Sequence, residues 1–219
     1  QSASSTEKIV AKYQNYIVGG VIATVIIVLG FLGYSSLVLE PNSEEANNEL
    51  FTAQNYFSQA LNDNENSDSL FLLSLNGGDG KYGFLDIIEN YSGTNASQLS
   101  YYSAGMAYFN LNDFENAIKY LKYFDSEDDV LKALAYGGIG DSFAELGQLD
   151  DALNYYELAF NVSDNNFTAP KFLLKSANTA SVLKQNSLAK KYYKSILEDF
   201  PKSPESFYID IQIEKNSSK

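Results

Sequence analysis

Two stretches set three glycines within four residues: Gly77, Gly78 and Gly80 in NGGDGKY, and Gly137, Gly138 and Gly140 in ALAYGGIGDSFAELG. Glycines this close let a backbone approach a phosphate, so each stretch is a candidate nucleotide site. A dinucleotide fingerprint needs G-x-G-x-x-G between a strand and a helix. Gly138-Ile139-Gly140 instead leads to Phe143 and Leu146, an apolar stripe at helical spacing. The P-loop pattern G-x4-G-K-[ST] would need glycine at Leu75 and a hydroxyl at Tyr82. DNENSD (63–68) spaces its carboxylates like a calcium loop but lacks the loop glycine and the closing Glu. These last two read as turn chemistry.

Composition removes whole reaction classes. Among 219 residues there is no His and no Cys, and all 15 basic side chains are lysine. That excludes ordinary zinc sites, Ser-His-Asp triads, thiolate nucleophiles and arginine fingers. Carboxylate pairs, a lysine Schiff base or a Ser-Lys dyad survive. The adjacent pairs Asp128-Asp129 and Asp150-Asp151 both stand at expected helix starts, where the helix dipole favours negative charge. No catalytic, cofactor-binding or metal-ligating residue is therefore assigned. With 28 acidic side chains and a net charge of -13, the surface repels nucleic acid and anionic headgroups.

What remains is a question of surfaces and the elements that carry them. No charged residue lies between Lys12 and Glu40, and residues 13–39 form an uncharged run. About 20 apolar residues suffice to cross a bilayer, and a signal peptide has a shorter apolar run and a small-residue cleavage site. The sequence predicts a lipid-embedded anchor over 13–39. Lys8 and Lys12 precede it, Glu40, Glu44 and Glu45 follow, and no further lysine appears until Lys81. The positive-inside rule then keeps residues 1–12 in the cytoplasm and places the C-terminal bulk outside it, in a bacterial periplasm. The chain opens at Gln1 without a Met, which leaves room for preceding residues.

The remainder repeats. YYSAGMAYFNLNDFENAIKYL (101–121) aligns with YGGIGDSFAELGQLDDALNYY (136–156) at an offset of 35 residues. A third copy over 174–201 sets Ala177, Leu183, Ala189 and Tyr193 in register after a two-residue insertion. The pattern resembles the tetratricopeptide repeat (TPR): a small residue at position eight, an aromatic at eleven, a Leu-Gly turn, Ala at twenty. Asn112 replaces the turn glycine in the first copy, and Ala180 replaces an aromatic in the third. Small residues (Gly105, Ala117, Gly140, Ala152, Ala189) let paired helices approach, and Tyr108, Phe143, Tyr156 and Tyr193 fill the layers between them. The expected fold is all-α: an anchor, a degenerate first unit with an insertion (44–97), three repeats (98–202) and a capping helix (203–215). In the degenerate unit, Leu50, Ala53, Phe57 and Leu61 form the inner side of a helix over 44–61, with Phe51 and Tyr56 beside them. The insertion over 62–82 is expected to be only partly packed. Ser203 is the expected N-cap of the final helix, with Pro204 at its first position.

On the inner face of such a solenoid the sequence places Leu99, Tyr102, Met106, Phe109, Gly137, Gly138, Asp141, Lys171 and Lys175. Peptide-clamping relatives grip a C-terminal carboxylate with Lys and Asn there. Only Lys171 and Lys175 match, so a protein helix or extended segment held by aromatic anchors fits better. Gly137 and Gly138 would admit either a partner's backbone or a neighbouring helix. The arrangement of one N-terminal membrane helix and a repeat domain resembles the YfgM-like family, and GDGKYGFLDIIENY looks like its Bacteroidota form. The resemblance implies an inner-membrane, non-enzymatic subunit beside the SecYEG translocon, paired with a membrane-anchored periplasmic foldase of the PpiD type. A mitochondrial-type import receptor with a cytosolic groove, or another envelope assembly scaffold, is the alternative. Asp68-Ser69-Leu70 resembles the O-glycosylation sequon of periplasmic Bacteroidota proteins, which makes Ser69 a candidate modification site.

Overall fold

The computed structural model describes residues 2–35, 40–63, 65–162 and 165–209, with side chains described from residue 13 onward. Among them the regular structure is helical, and the only pairing of strand type is the bridge Gly78–Lys81. The chain divides into two compact units, Gln1–Glu45 and Ala46–Lys219.

In the first unit, α1 (Ser2–Tyr34) contains a 22-residue segment, Tyr13–Tyr34, of mean hydropathy 2.4 with none of it buried by protein. At 1.5 Å per residue it is about 33 Å long, enough to cross a hydrocarbon core. Near its middle, Thr24 Oγ1 donates to the Gly20 carbonyl at 2.9 Å. Residues 36–39, the end of the expected anchor, lie outside the described residues.

The second unit opens within α2 (Glu40–Ala60), where Ala46, Leu50, Ala53 and Ala60 are buried. Phe57 packs edge-on against Phe71 and Phe84 at 5.4 and 6.1 Å. Leu61 and Phe51 lie outside this core, 57% and 72% exposed, so the apolar side of the helix is narrower than its sequence suggests. The segment expected to be a partly packed insertion is largely a helix, α3 (Ser67–Asn76). Phe71 and Leu75 sit one turn apart and are almost wholly buried, which makes α3 part of the core. GGDGKY then folds as a turn: Gly77, Asp79 and Gly80 have positive φ, and Lys81 pairs with Glu49 at 3.2 Å. α4 (Phe84–Asn90) completes this unit.

Three antiparallel hairpins follow: α5 (Asn95–Asn110) with α6 (Phe114–Tyr123), α7 (Asp129–Glu145) with α8 (Leu149–Val162), and α9 (Ala169–Val182) with α10 (Asn186–Asp199). Their turns are copies. The left-handed residue is Asn112, Gly147 or Lys184, at φ 61, 73 and 62°. After each, one amide bonds back to a carbonyl five residues earlier: Asp113 to Tyr108, Gln148 to Phe143, Gln185 to Ala180, at 2.8–2.9 Å. Glycine in the second copy and asparagine in the first suit this conformation, and lysine in the third does not.

The small positions set the spacing within hairpins. A Cβ on Gly105 would sit 2.5 Å from Leu121 Cγ, and one on Gly140 would sit 2.6 Å from Tyr156 Cε1. Ala117 and Ala152 are wholly buried, and Ala189 is 3% exposed. Ser203 caps a final helical turn over 204–209, its hydroxyl accepting from the Ser206 amide at 3.1 Å. The rest of the expected capping helix, 210–215, lies outside the described residues.

Candidate functional site

The residues expected on one open face are divided among several environments. Tyr102 packs against Phe124 with ring centroids 5.4 Å apart, and Phe109 lies edge-on to Phe114 at 5.6 Å. Burial pushes the Tyr102 phenol above its usual range. Leu99 borders a different space, an open cleft of about 580 Å³ lined also by Gln98, Phe124 and Lys132. Lys171 is exposed, its ammonium 5.7 Å from the Phe172 ring centre.

Gly137 and Gly138 are buried and serve helix packing. A Cβ on Gly137 would overlap the ring edge of Phe172 from α9. One on Gly138 would lie 3.0 Å from Leu121 Cδ1 and 3.3 Å from Met106 Sδ. The two glycines face opposite neighbours, one hairpin ahead and one behind. Neither leaves bare backbone for a partner, and a charge at Gly138 would perturb the fold before it perturbed any surface.

Asp141 and Lys175 are brought together. The Lys175 ammonium pairs with the Asp141 carboxylate, which also accepts from the Tyr156 hydroxyl at 2.7 Å. Lys175 lies over the Tyr156 ring as well, 5.5 Å from its centre. Burial first, then the Asp141 charge, holds the Tyr156 phenol far above its usual range. The triad joins α7, α8 and α9. Sequence reasoning placed Asp141 and Lys175 on the face but missed that they satisfy each other. The signal was a spacing of 15 residues: Asp141 to Tyr156 recurs as Asn178 to Tyr193, where the phenol donates to the amide oxygen at 2.7 Å. In the first hairpin the equivalent pair is Met106 and Leu121, apolar and without a polar lock.

A second feature the sequence did not suggest lies between α6, α7 and α8. There a cavity of about 190 Å³ is lined by Lys122, Lys132, Tyr136 and Tyr155. Lys122 rests over aromatic faces, 5.4 Å from the Phe143 centre and 5.5 Å from that of Tyr155. Among the described residues no cluster of three Asp or Glu side chains is arranged to hold a metal. Asp68 and Ser69 are exposed on the first turn of α3.

Comparison with known proteins agrees with the hairpin geometry. Residues 99–122 and 133–166 match one tetratricopeptide repeat model, and 172–203 match another. The chain carries tetratricopeptide repeats. The matched segments lie along α5 to α10, and each contains one of the three hairpin turns. No curated protein matches the chain. Among solved structures that match is the crystal structure of BtubC (BKLC) from P. vanneervenii, at 15% identity and a TM-score of 0.39. The alignment covers 78% of this chain and 63% of that one.

Proposed function

We propose that this chain is a membrane-anchored, non-enzymatic tetratricopeptide scaffold at the bacterial inner membrane. In this reading its repeats face the periplasm and hold a PpiD-like foldase beside the SecYEG channel. The observation that carries it is the joining of one apolar helix, Tyr13–Tyr34, to a unit of packed hairpins in which tetratricopeptide repeats supply a partner surface. Lys8 and Lys12 before the apolar segment and acidic residues after it support a cytoplasmic N-terminus.

The docking surface in this proposal is the exposed Lys171 with the half-buried Tyr102 and Phe109, and Leu99 at the border of the neighbouring cleft. Lys175 and Asp141 neutralise each other, so Lys171 is the cation available to an acidic partner segment. Ser69 on exposed α3 is the proposed O-glycosylation site, tested by the intact mass of the native protein. Solubilised native membranes, followed by affinity capture and mass spectrometry, should return the foldase and translocon subunits. Phe109→Ala with Lys171→Glu should lose them while keeping the helical circular dichroism signal. Capture of neither partner by the wild-type chain would refute the translocon role. Protease added to spheroplasts should digest the repeats, and protection until lysis would reverse the orientation.

A further inference from the structure

The net charge of -13 conceals a segregation along the solenoid. Over residues 40–168 there are four lysines against twenty-two carboxylates, whereas 169–203 holds seven lysines against Glu198 and Asp199 alone. The charge also differs around the hairpin turns, although not at matching positions. Asp113 and Glu115 flank the first turn, Glu145, Asp150 and Asp151 the second, and Lys184, Lys190 and Lys191 the third. Asp113, Asp128, Asp150 and Asp151 sit at helix starts, where the helix dipole explains them. The same dipole favours Lys184, just past the C-terminus of α9, but it does not explain Lys190 and Lys191 in α10.

Nothing inside the fold uses these lysines. All three are exposed, and among the described residues none forms an ion pair, whereas Lys175 and Lys194 do. Lys184 holds positive φ, where glycine or asparagine would be easier. Beside it Val182 is 67% exposed, an apolar side chain at the rim of a cationic edge.

We propose that this edge, the α9–α10 turn with Lys184, Lys190 and Lys191, rests on anionic lipid headgroups and orients the solenoid against the bilayer. Lipid is favoured over a protein partner because the same chain carries a helix able to cross a membrane. That tether keeps the edge at high effective concentration near the headgroups. Each lysine near an anionic surface favours contact by about fivefold, and the carboxylates of the first two hairpins are repelled by it. The charge asymmetry therefore selects one end of the solenoid for contact. This rests on reading α1 as an anchor, and the experiment separates the two.

The chain has no cysteine, so Ser187→Cys on α10 and Gln148→Cys on the acidic edge each take a single fluorophore. The full chain is reconstituted in vesicles of phosphatidylcholine alone or with phosphatidylglycerol added, each containing a headgroup acceptor dye. Retention on vesicles after carbonate washing tests the anchor by itself, and release would refute both the anchor and the tethered contact. The expected result is energy transfer from residue 187 that rises with phosphatidylglycerol, falls with salt and exceeds that from residue 148. Lys184→Glu, Lys190→Glu and Lys191→Glu together should return it to the neutral-vesicle level with the helical signal unchanged. Transfer indifferent to lipid charge, or unchanged in the triple variant, overturns the proposal. So does transfer between labels on two copies that replaces transfer to lipid, since a second chain's acidic hairpins would then be the occupant.

Discussion

The three glycines of α7 should respond differently to the same added methyl, and the order is set by what each would strike. Alanine in place of a helical glycine gains about 1 kcal/mol from backbone entropy alone. At Gly138 the new Cβ meets Leu121 Cδ1 at 3.0 Å and Met106 Sδ at 3.3 Å, both ends of flexible side chains. Small rotations there cost a few tenths, so Gly138→Ala should be neutral or stabilising by up to about 1 kcal/mol. At Gly140 the Cβ meets the Tyr156 ring at 2.6 Å, and that ring is held by its bond to Asp141. At Gly137 it overlaps Phe172, which is 2% exposed and has nowhere to retreat. Overpacking of this kind costs about 1–3 kcal/mol, and the overlap at Gly137 puts it at the upper end. After the helix gain is subtracted, Gly137→Ala should be destabilised by about 2 kcal/mol and Gly140→Ala by about 1 kcal/mol. Urea unfolding of the full chain in detergent, followed by circular dichroism, would rank them. Adding Phe172→Leu to Gly137→Ala should recover part of the loss, as coupled neighbours do. If Gly138→Ala is the most damaging of the three, the assignment of Gly137 and Gly138 to opposite neighbours is wrong.

Ala152 is wholly buried between the helices of the second hairpin, so Ala152→Leu should cost about 1–3 kcal/mol in the same assay; an unchanged midpoint would contradict the packing register. The raised Tyr156 phenol gives a pH signature. Its folded pKa lies above the unfolded value of about 10, so its contribution is complete below about pH 10 and is lost as pH rises beyond it. Stability measured from about pH 8 to about pH 11 should therefore fall less steeply in Tyr156→Phe than in the wild type. Lys184→Gly should stabilise the third turn by about 1 kcal/mol, because glycine adopts positive φ without the Cβ clash; a loss of stability would indicate that the lysine side chain supports the turn.

The parts of this molecule legible in its sequence were those governed by period and by small residues. Gly105, Gly140, Ala117, Ala152 and Ala189 could be placed because close helix approach tolerates little else at those spacings. The α3 helix was obscured because SLFLLSLNGGDGKY joins a short apolar run to a glycine turn, and periodicity over ten residues cannot separate a buried helix from a packed loop. The face residues were harder for a different reason. A repeat alignment gives the side of a helix but not its neighbour's reach, so at Gly137 a partner and a neighbouring helix were equally open alternatives, and Phe172 decides for the helix. Asp141 and Lys175 lie 34 residues apart, one repeat length, and their pairing depends on how consecutive hairpins stack. The first hairpin has Met106 where the second has Asp141, and the third has Asn178, so the polar lock weakens toward either end of the array. With Asp141 and Lys175 closed on each other, the contacts proposed above rest on side chains at the two ends of the array: the half-buried Tyr102 and Phe109 of α5, and the exposed Lys171, Lys184, Lys190 and Lys191 of the third hairpin.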